Sequence, residues 1–148
     1  MTRKQLIKAL DKVFSQYIRT RDCLLTTGTL YEGICVTCDR RVHIKKCDCG
    51  HWQKRQHYST RWNEQNCALQ CKHDNAFEQG KDVEFRAAIV RRYGETTALM
   101  LEAEAKKPRK YYDFELLALI DYWKKKLKDL QEPEPMRQIV QNEGLNNA

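Results

Sequence analysis

Residues 47–75 read CDCGHWQKRQHYSTRWNEQNCALQCKHDN, and this stretch holds four of the chain's seven cysteines and three of its four histidines. Cys35 and Cys38 stand just upstream in a Cys-x-x-Cys spacing, which lets two thiolates hold one tetrahedral zinc ion. A second pair would consist of Cys71 and a cysteine at position 74, where this chain has Asp74. The spacing therefore predicts a structural zinc site whose fourth ligand it does not decide.

Several residues are candidates for the fourth ligand position. Asp74 is the first choice as a carboxylate ligand and His73 the second as an imidazole ligand, while Cys49 or Cys67 can also be recruited. Alternatively, no zinc is bound and the cysteines pack as small buried hydrophobic residues. A lone Cys-x-x-Cys also occurs as a redox pair. An odd cysteine count in a reducing compartment argues against a disulfide framework and favours metal ligands with free thiols.

Composition and charge limit the class of protein. A length of 148 residues suits one ordinary domain, and neither a membrane-length apolar run nor a signal-peptide core is visible, so we expect a cytoplasmic protein without membrane contact. The net charge of +7 is unevenly placed: residues 1–34 carry +3, residues 35–81 carry +4 and residues 82–148 are neutral. A basic surface beside a metal site indicates a polyanionic partner, most plausibly nucleic acid.

Apolar spacing predicts an α+β fold with helices on both sides of the cysteine segment. Residues 3–20 carry an apolar stripe at helical spacing with Thr2 as N-cap, and three further helices are expected over 83–93, 96–105 and 113–131. Short strands are expected over 34–52, a loop with a short strand near Asn66 over 53–70, and a short helix from about 73. The predicted divisions are 1–34, a metal-pinned core at 35–81, a helical region at 82–135 and a disordered tail at 136–148.

Histidine and oxygen ligands lie between and after the two cysteine pairs. His51 follows a glycine, Asn66 precedes Cys71 by five residues, and Asn75 follows the second half-site. Hydrolysis of a phosphodiester needs a base for the attacking water and a hard cation for the phosphate and the leaving oxygen. Imidazole suits the first task, and amide and carboxylate oxygens suit magnesium, which thiolates do not. This is the layout of the HNH (ββα-metal) nucleases.

A longer series of motifs resembles one particular family. The matching pieces, in chain order, are VFSQYIRTRD, CVTC, DCGHW, TRWNEQNCALQC, DN, QG and RRYG, followed by a terminal helix of the FELLALIDYWKKKLKDL kind. This ordered run from Val13 to Tyr93 resembles the NinG/Rap family of phage recombination nucleases. The resemblance implies an HNH-like endonuclease, encoded by a phage and acting in the bacterial cytoplasm on branched DNA such as Holliday junctions and D-loops.

The resemblance also implies roles for individual residues. His51 would be the general base, Asn75 a ligand of a catalytic Mg²⁺ (or Mn²⁺), and Asn66 a brace for the loop that carries His51. Asp48 would be a ligand of the same cation or would orient His51. Cys35, Cys38 and Cys71 match three of the family's structural zinc ligands. Asp74 stands where the family has a fourth cysteine. A non-catalytic zinc-knuckle protein that binds junctions is the alternative interpretation.

Residues other than the proposed catalytic and zinc-binding ones supply candidate DNA contacts and a candidate dimer interface. Trp52 and Trp62 are expected to be buried, and the apolar stripe of residues 114–130 either packs on the first helix or pairs with a second subunit. A four-way junction needs two coordinated cuts, which favours a homodimer. The candidate DNA-binding residues, chosen for their place in a basic and aromatic loop, are Lys54, Arg55, His57 and Arg61.

Overall fold

A computed structural model describes residues 1–132 of the chain. The tail predicted at 136–148, and the last residues of the region predicted at 82–135, lie outside this part, and the predicted divisions of the chain remain predictions. Within it the fold is α+β, as predicted. In chain order the elements are α1 (Arg3–Thr27), β1 (Glu32–Ile34), β2 (Arg41–His43), β3 (Cys47–His51), α2 (Tyr58–Arg61), β4 (Cys67–Cys71), α3 (Lys72–Phe77), α4 (Asp82–Tyr93), α5 (Glu95–Ala105) and α6 (Asp113–Gln131).

Helix α1 begins at the predicted residue, Arg3, and ends at Thr27, seven residues beyond its predicted end at Thr20. The Thr2 hydroxyl accepts from the Gln5 backbone N–H and the Gln5 side chain accepts from the Thr2 N–H, which closes a capping box. At the other end, the Thr26 and Thr27 hydroxyls donate to the carbonyls one turn back and are thereby satisfied within the helix. Gly28 then ends the helix in the left-handed conformation, with φ of 72°.

The strands form two small antiparallel sheets, β1 with β2 and β3 with β4. Cys49 faces Leu69 and His51 faces Cys67 in the second sheet. The short strand expected near Asn66 is present as β4. All five of its residues are buried, and burial on both faces removes the alternating pattern by which the sequence would have shown its length. Gly50 leaves room for the side chains that pack over it, since a Cβ there would lie 2.3 Å from Gln70 Oε1 and 3.0 Å from Phe85 Cε2.

Helix α6 packs its inner face on α1. Trp123 contacts Phe14 and Tyr17 with ring centroids 5.0 and 4.8 Å apart, and Leu116 and Ile120 are buried beside them. Of the two alternatives for the apolar stripe, packing on the first helix is therefore confirmed. Three side chains of the same stripe are exposed to solvent, with Phe114 at 72%, Leu117 at 49% and Tyr122 at 51% exposure.

A second core lies between α4, α5 and the β-region, with Phe85 at its centre. Trp52 belongs to this core and Trp62 to the α1–α6 core, and each is 7% exposed, as predicted. Among residues 1–132, we find no helix that combines the length and apolar character needed to cross a bilayer.

Candidate functional site

Four potential ligands converge where the turn after β1 meets the start of α3. One ligand atom from each of Cys35, Cys38, Cys71 and Asp74 lies within 4.8 Å of the others. Cys38 Sγ and Cys71 Sγ are 3.7 Å apart, close to the roughly 3.8 Å expected for two sulfurs on a tetrahedral zinc with Zn–S bonds near 2.3 Å. All cysteines of the described chain are free thiols. This cluster, called the knuckle cluster below, could hold a metal ion such as zinc.

Hydrogen bonds around the knuckle cluster favour anionic ligands. The backbone N–H of Cys71 donates to Cys35 Sγ at 3.2 Å, and the N–H of Asp74 donates to Cys71 Sγ at 3.4 Å. The Thr37 hydroxyl donates to Asp74 Oδ2 at 2.7 Å. Although burial raises the pKa of Asp74, hydrogen bonds from Thr37 and His73 outweigh it and leave that pKa below its usual value. These contacts orient the ligands from behind, as metal sites require.

The four candidates for the fourth zinc ligand differ in their position relative to the knuckle cluster. Asp74 is 4% exposed and lies inside the cluster. His73 is not among the four converging ligands: its side chain is 59% exposed, its Nδ1 lies 3.3 Å from Asp74 Oδ1 and its ring lies against Phe77. Cys49 and Cys67 belong to a different group of side chains. The geometry therefore favours Asp74 as the fourth ligand, although zinc binding itself remains a prediction.

Asp74→Asn is expected to weaken zinc binding at the knuckle cluster by at least about 10–100-fold, the range found for residues that merely support metal ligands. An amide keeps the shape of the carboxylate but removes its charge. Zinc should protect the partly exposed Cys38 from alkylation, and peptide mass spectrometry at rising chelator concentration measures that protection. Asp39→Asn removes the same charge from an exposed position in the adjacent turn and serves as the control. Equal protection in both variants would exclude Asp74 as a ligand.

A cleft of about 960 Å³ lies between α1, β3, the loop after β3 and the end of α3. The predicted catalytic residues Asp48, His51 and Asn75 all line it. Four basic side chains line the same cleft: Lys8, Lys12, Lys54 and Arg55. The structure thus brings a histidine, two oxygen ligands and a basic rim to one surface depression.

His51 is held in a largely apolar setting at the inner side of the cleft. Its Nε2 donates to the Arg61 carbonyl oxygen at 2.9 Å, and its ring faces Phe14 with centroids 6.3 Å apart. Burial lowers the pKa of His51 to about 4, against the opposing effect of the Arg61 carbonyl. The imidazole is therefore neutral at neutral pH, and donation through Nε2 leaves the lone pair on Nδ1.

Asp48 and Asn75 form a pair of oxygen-bearing side chains at the cleft edge. Asn75 Nδ2 donates to Asp48 Oδ2 at 3.1 Å, and Lys72 Nζ binds Asp48 Oδ1 at 2.7 Å. Carboxylate and amide oxygens are the ligands that Mg²⁺ takes in proteins. The pair fits a hard cation, provided that Lys72, whose side chain is 60% exposed, moves aside.

Asn66 lies too deep to contact a substrate. It is fully buried, and its side chain accepts from the Gln53 N–H and donates to the carbonyls of Gln53 and Thr60. These bonds tie both ends of the loop after His51 to the start of β4. The geometry agrees with a bracing residue rather than a catalytic one.

The four candidate DNA contacts differ in their freedom to bind phosphate. Arg61 is bound bidentately by Asp11, with Nε–Oδ1 at 3.0 Å and Nη2–Oδ2 at 2.5 Å, and its side chain is only 11% exposed. Neither Arg61 nor His57 lines the cleft, so the structure gives no support to a phosphate contact from either. Lys54 and Arg55 do line it, although Asp82 holds the first and Asp11 the second.

Asp11 is a structural residue that the sequence did not reveal. It binds Arg55, Arg61 and the Trp62 indole N–H, and thereby fixes the segment whose Arg61 carbonyl positions His51. The only available signal was a single acidic residue on the polar face of a basic helix. Thr37, which supports Asp74, gave no signal beyond its place between two cysteines.

An α+β fold with a cysteine-rich cluster that could hold a metal ion, beside a basic cleft, defines the class of this protein. The family model described as "Bacteriophage Lambda NinG protein" matches residues 1–134, so the chain belongs to the NinG family of bacteriophage proteins. No curated protein matches the chain, and no solved structure matches it either.

Proposed function

We propose that this chain is a DNA endonuclease for branched recombination intermediates, such as Holliday junctions and D-loops, built on an HNH-like ββα-metal site. The observation that carries the proposal is the meeting of His51, Asp48 and Asn75 in one cleft with a basic rim. The two strands and one helix that present them, β3, β4 and α3, follow the order of a ββα unit. Family membership supports a role in phage recombination.

Each side chain of the cleft then has a distinct task. A neutral imidazole at His51 accepts a proton from the attacking water through its second ring nitrogen, Nδ1, while the Arg61 carbonyl fixes the ring. Asp48 and Asn75 hold a hard cation, Mg²⁺ or Mn²⁺, at the cleft edge. Such a cation supplies charge stabilisation for the phosphate and the leaving oxygen. The basic residues of α1 and of the loop after β3 hold the DNA backbone.

The knuckle cluster has a mechanical task in this proposal. It joins the turn after β1 to the start of α3, the helix that carries Asn75. A structural zinc there would fix Asn75 relative to the strand that carries Asp48 and His51. Cleavage is therefore expected to need both ions, one for the reaction and one for the geometry.

Lys8 and Lys12 stand exposed one turn apart on α1 and line the cleft. The double variant Lys8→Ala/Lys12→Ala is expected to weaken binding of junction and linear duplex alike, since phosphate contacts carry no sequence information. The slope of log K against log[salt] should fall by about 1 for each lysine. Lys106→Ala/Lys125→Ala removes two charges from exposed positions away from the cleft and is the control. Equal slopes for the two variants would place the DNA elsewhere.

A homodimer is part of the proposal because a four-way junction is two-fold and needs two cuts. The exposed apolar side chains of α6, namely Phe114, Leu117 and Tyr122, provide a candidate interface. Light scattering of the full chain is expected to give twice the monomer mass, and Phe114→Glu to give the monomer mass. A monomer at every concentration tested would remove this part of the proposal.

The low basicity of His51 favours one competing function, a zinc-knuckle protein that binds junctions without cutting them. A general base works best with a pKa near the working pH, and burial holds the pKa of His51 near 4. An end-labelled four-way junction and a linear duplex of equal length separate the two functions. The nuclease should cut the junction in magnesium and only bind it in EDTA. Binding without cutting under both conditions would favour the competing function.

A further inference from the structure

Three side chains outside the knuckle cluster form a second group of metal ligands. Cys49 and His51 are two residues apart on β3 and share one face of the strand, and Cys67 lies directly opposite His51 on β4. One ligand atom from each of the three lies within 4.8 Å of the others. We propose that Cys49, His51 and Cys67 form a second metal site, which binds zinc through two thiolates and one imidazole.

The composition of the group selects the ion. Two sulfurs and an imidazole nitrogen are soft and borderline ligands, which suit zinc and do not suit magnesium. The site is therefore chemically distinct from the Asp48–Asn75 pair proposed for the hard cation, although both border the same cleft. Binding forms two Zn–S bonds and one Zn–N bond and releases two thiol protons to water.

The position of the group leaves one coordination position accessible. Cys67 is 1% exposed and forms the inner side, whereas Cys49 and His51 line the cleft. Three protein ligands with an open fourth position are typical of reactive zinc sites, while four protein ligands are typical of structural ones. The knuckle cluster, with four ligands, therefore has the ligand count of a structural zinc site, and the second site, with three, has that of a reactive one.

The other buried cysteines of the described chain show what a purely structural pair looks like here. Cys23 and Cys47 pack against Leu69, with Val42 and Ile44 around them, in an apolar cluster that contains no histidine. The Cys67 thiol lies at the edge of the α1–α6 core, 4.0 Å from the Arg61 carbonyl oxygen, the same acceptor that His51 Nε2 uses. The group differs from the pair at Cys23 and Cys47 in containing a histidine, whose ring lies within ligand distance of both thiols.

Zinc at this site has a regulatory consequence, which rests on the proposed nuclease function. An imidazole that gives its lone pair to zinc cannot take a proton from water. Zinc beyond the amount needed by the knuckle cluster is therefore expected to inhibit cleavage in magnesium, by withdrawing His51 from proton transfer rather than by displacing DNA.

The site itself is tested by metal counting, without any DNA. The full-length chain, reduced and then loaded with Co²⁺ or Zn²⁺, should bind two ions per chain, and Cys49→Ala and Cys38→Ala should each bind one. Cys47→Ala, which changes a buried cysteine of the same strand outside both groups, should bind two. Tetrahedral thiolate coordination of Co²⁺ gives intense visible and near-ultraviolet absorption, which both single variants should lower.

One ion per chain in wild type, or two ions in Cys49→Ala, would overturn the second site. If Cys49→Ala does not fold, alkylation of wild type decides: zinc should slow the modification of Cys49 as well as that of Cys38. Unchanged Cys49 modification would contradict the site. A chain that binds two ions but never cuts DNA would support this site and refute the nuclease, and the reverse result would do the opposite.

Discussion

Glutamine in place of His51 is expected to lower the rate of junction cleavage by about 10²–10⁴-fold, the usual contribution of a positioned general base. The side-chain amide of glutamine can still donate to the Arg61 carbonyl, which now holds Nε2 at 2.9 Å, but it cannot accept a proton at neutral pH. Junction affinity should change little, because the basic rim rather than His51 is proposed to hold the phosphates. Single-turnover cleavage with enzyme in excess measures the chemical step.

His57→Gln is the matched control for that measurement. His57 lies in the neighbouring loop, does not line the cleft and precedes α2 as its N-cap residue. The same chemical change there is expected to leave the rate within about twofold, as for most substitutions away from a reacting centre. Equal rates for His51→Gln and wild type would exclude His51 as the base.

Alanine in place of Asp22 is expected to destabilise the fold by about 3–5 kcal/mol, the cost of breaking a buried ion pair from one side. Asp22 is fully buried. Its carboxylate binds Arg21 Nε at 3.0 Å and Arg92 Nη1 at 3.1 Å, and it accepts from the Leu69 N–H at 2.8 Å. The residue thus connects α1 to β4 and α4, and its loss leaves two guanidinium groups without their carboxylate partner and one buried N–H unpaired.

Urea unfolding compares Asp22→Ala with Glu102→Ala. Glu102 also pairs with an arginine, Arg86, but its side chain is 38% exposed. Removing it should cost less than about 1 kcal/mol, as for most surface ion pairs. Alanine favours the helix at both positions, so propensity does not explain a difference between them. Similar losses for the two variants would show that the Asp22 network adds no more than a surface pair.

The sequence predicted elements well where a hydrophobic period was undisturbed. Helix α6 occupies the residues expected from its stripe, and α5 begins one residue earlier than expected. Helix α1 was predicted too short because Arg21 and Asp22 look like the polar end of a helix. In the structure Asp22 is buried and pairs with Arg92, 70 residues further along the chain. Strand β4, expected only as a short strand near Asn66 within a loop, occupies Cys67–Cys71, and its burial on both faces removed the alternating pattern. Long-range pairing explains both differences.

The candidate site was predictable in its residue types and less so in its connections. Spacing singled out the knuckle cysteines and His51, and the structure places them in two neighbouring groups. Spacing could not choose between His73 and Asp74, since adjacent residues of a helix point in different directions. Nor could it show that Asp11, 50 residues before Arg61, already binds that guanidinium.

The central claim, that this cleft hydrolyses DNA, is tested most directly by adding magnesium to a preformed complex of wild type with an end-labelled four-way junction. The complex is assembled with protein that carries one zinc ion per chain, the amount that the knuckle cluster needs, in the absence of free divalent ions, and the strands are resolved on a denaturing gel. We expect cut strands to appear after magnesium is added, and neither in its absence nor in His51→Gln. Intact strands from a saturated wild-type complex, in magnesium and in manganese alike, would contradict the claim.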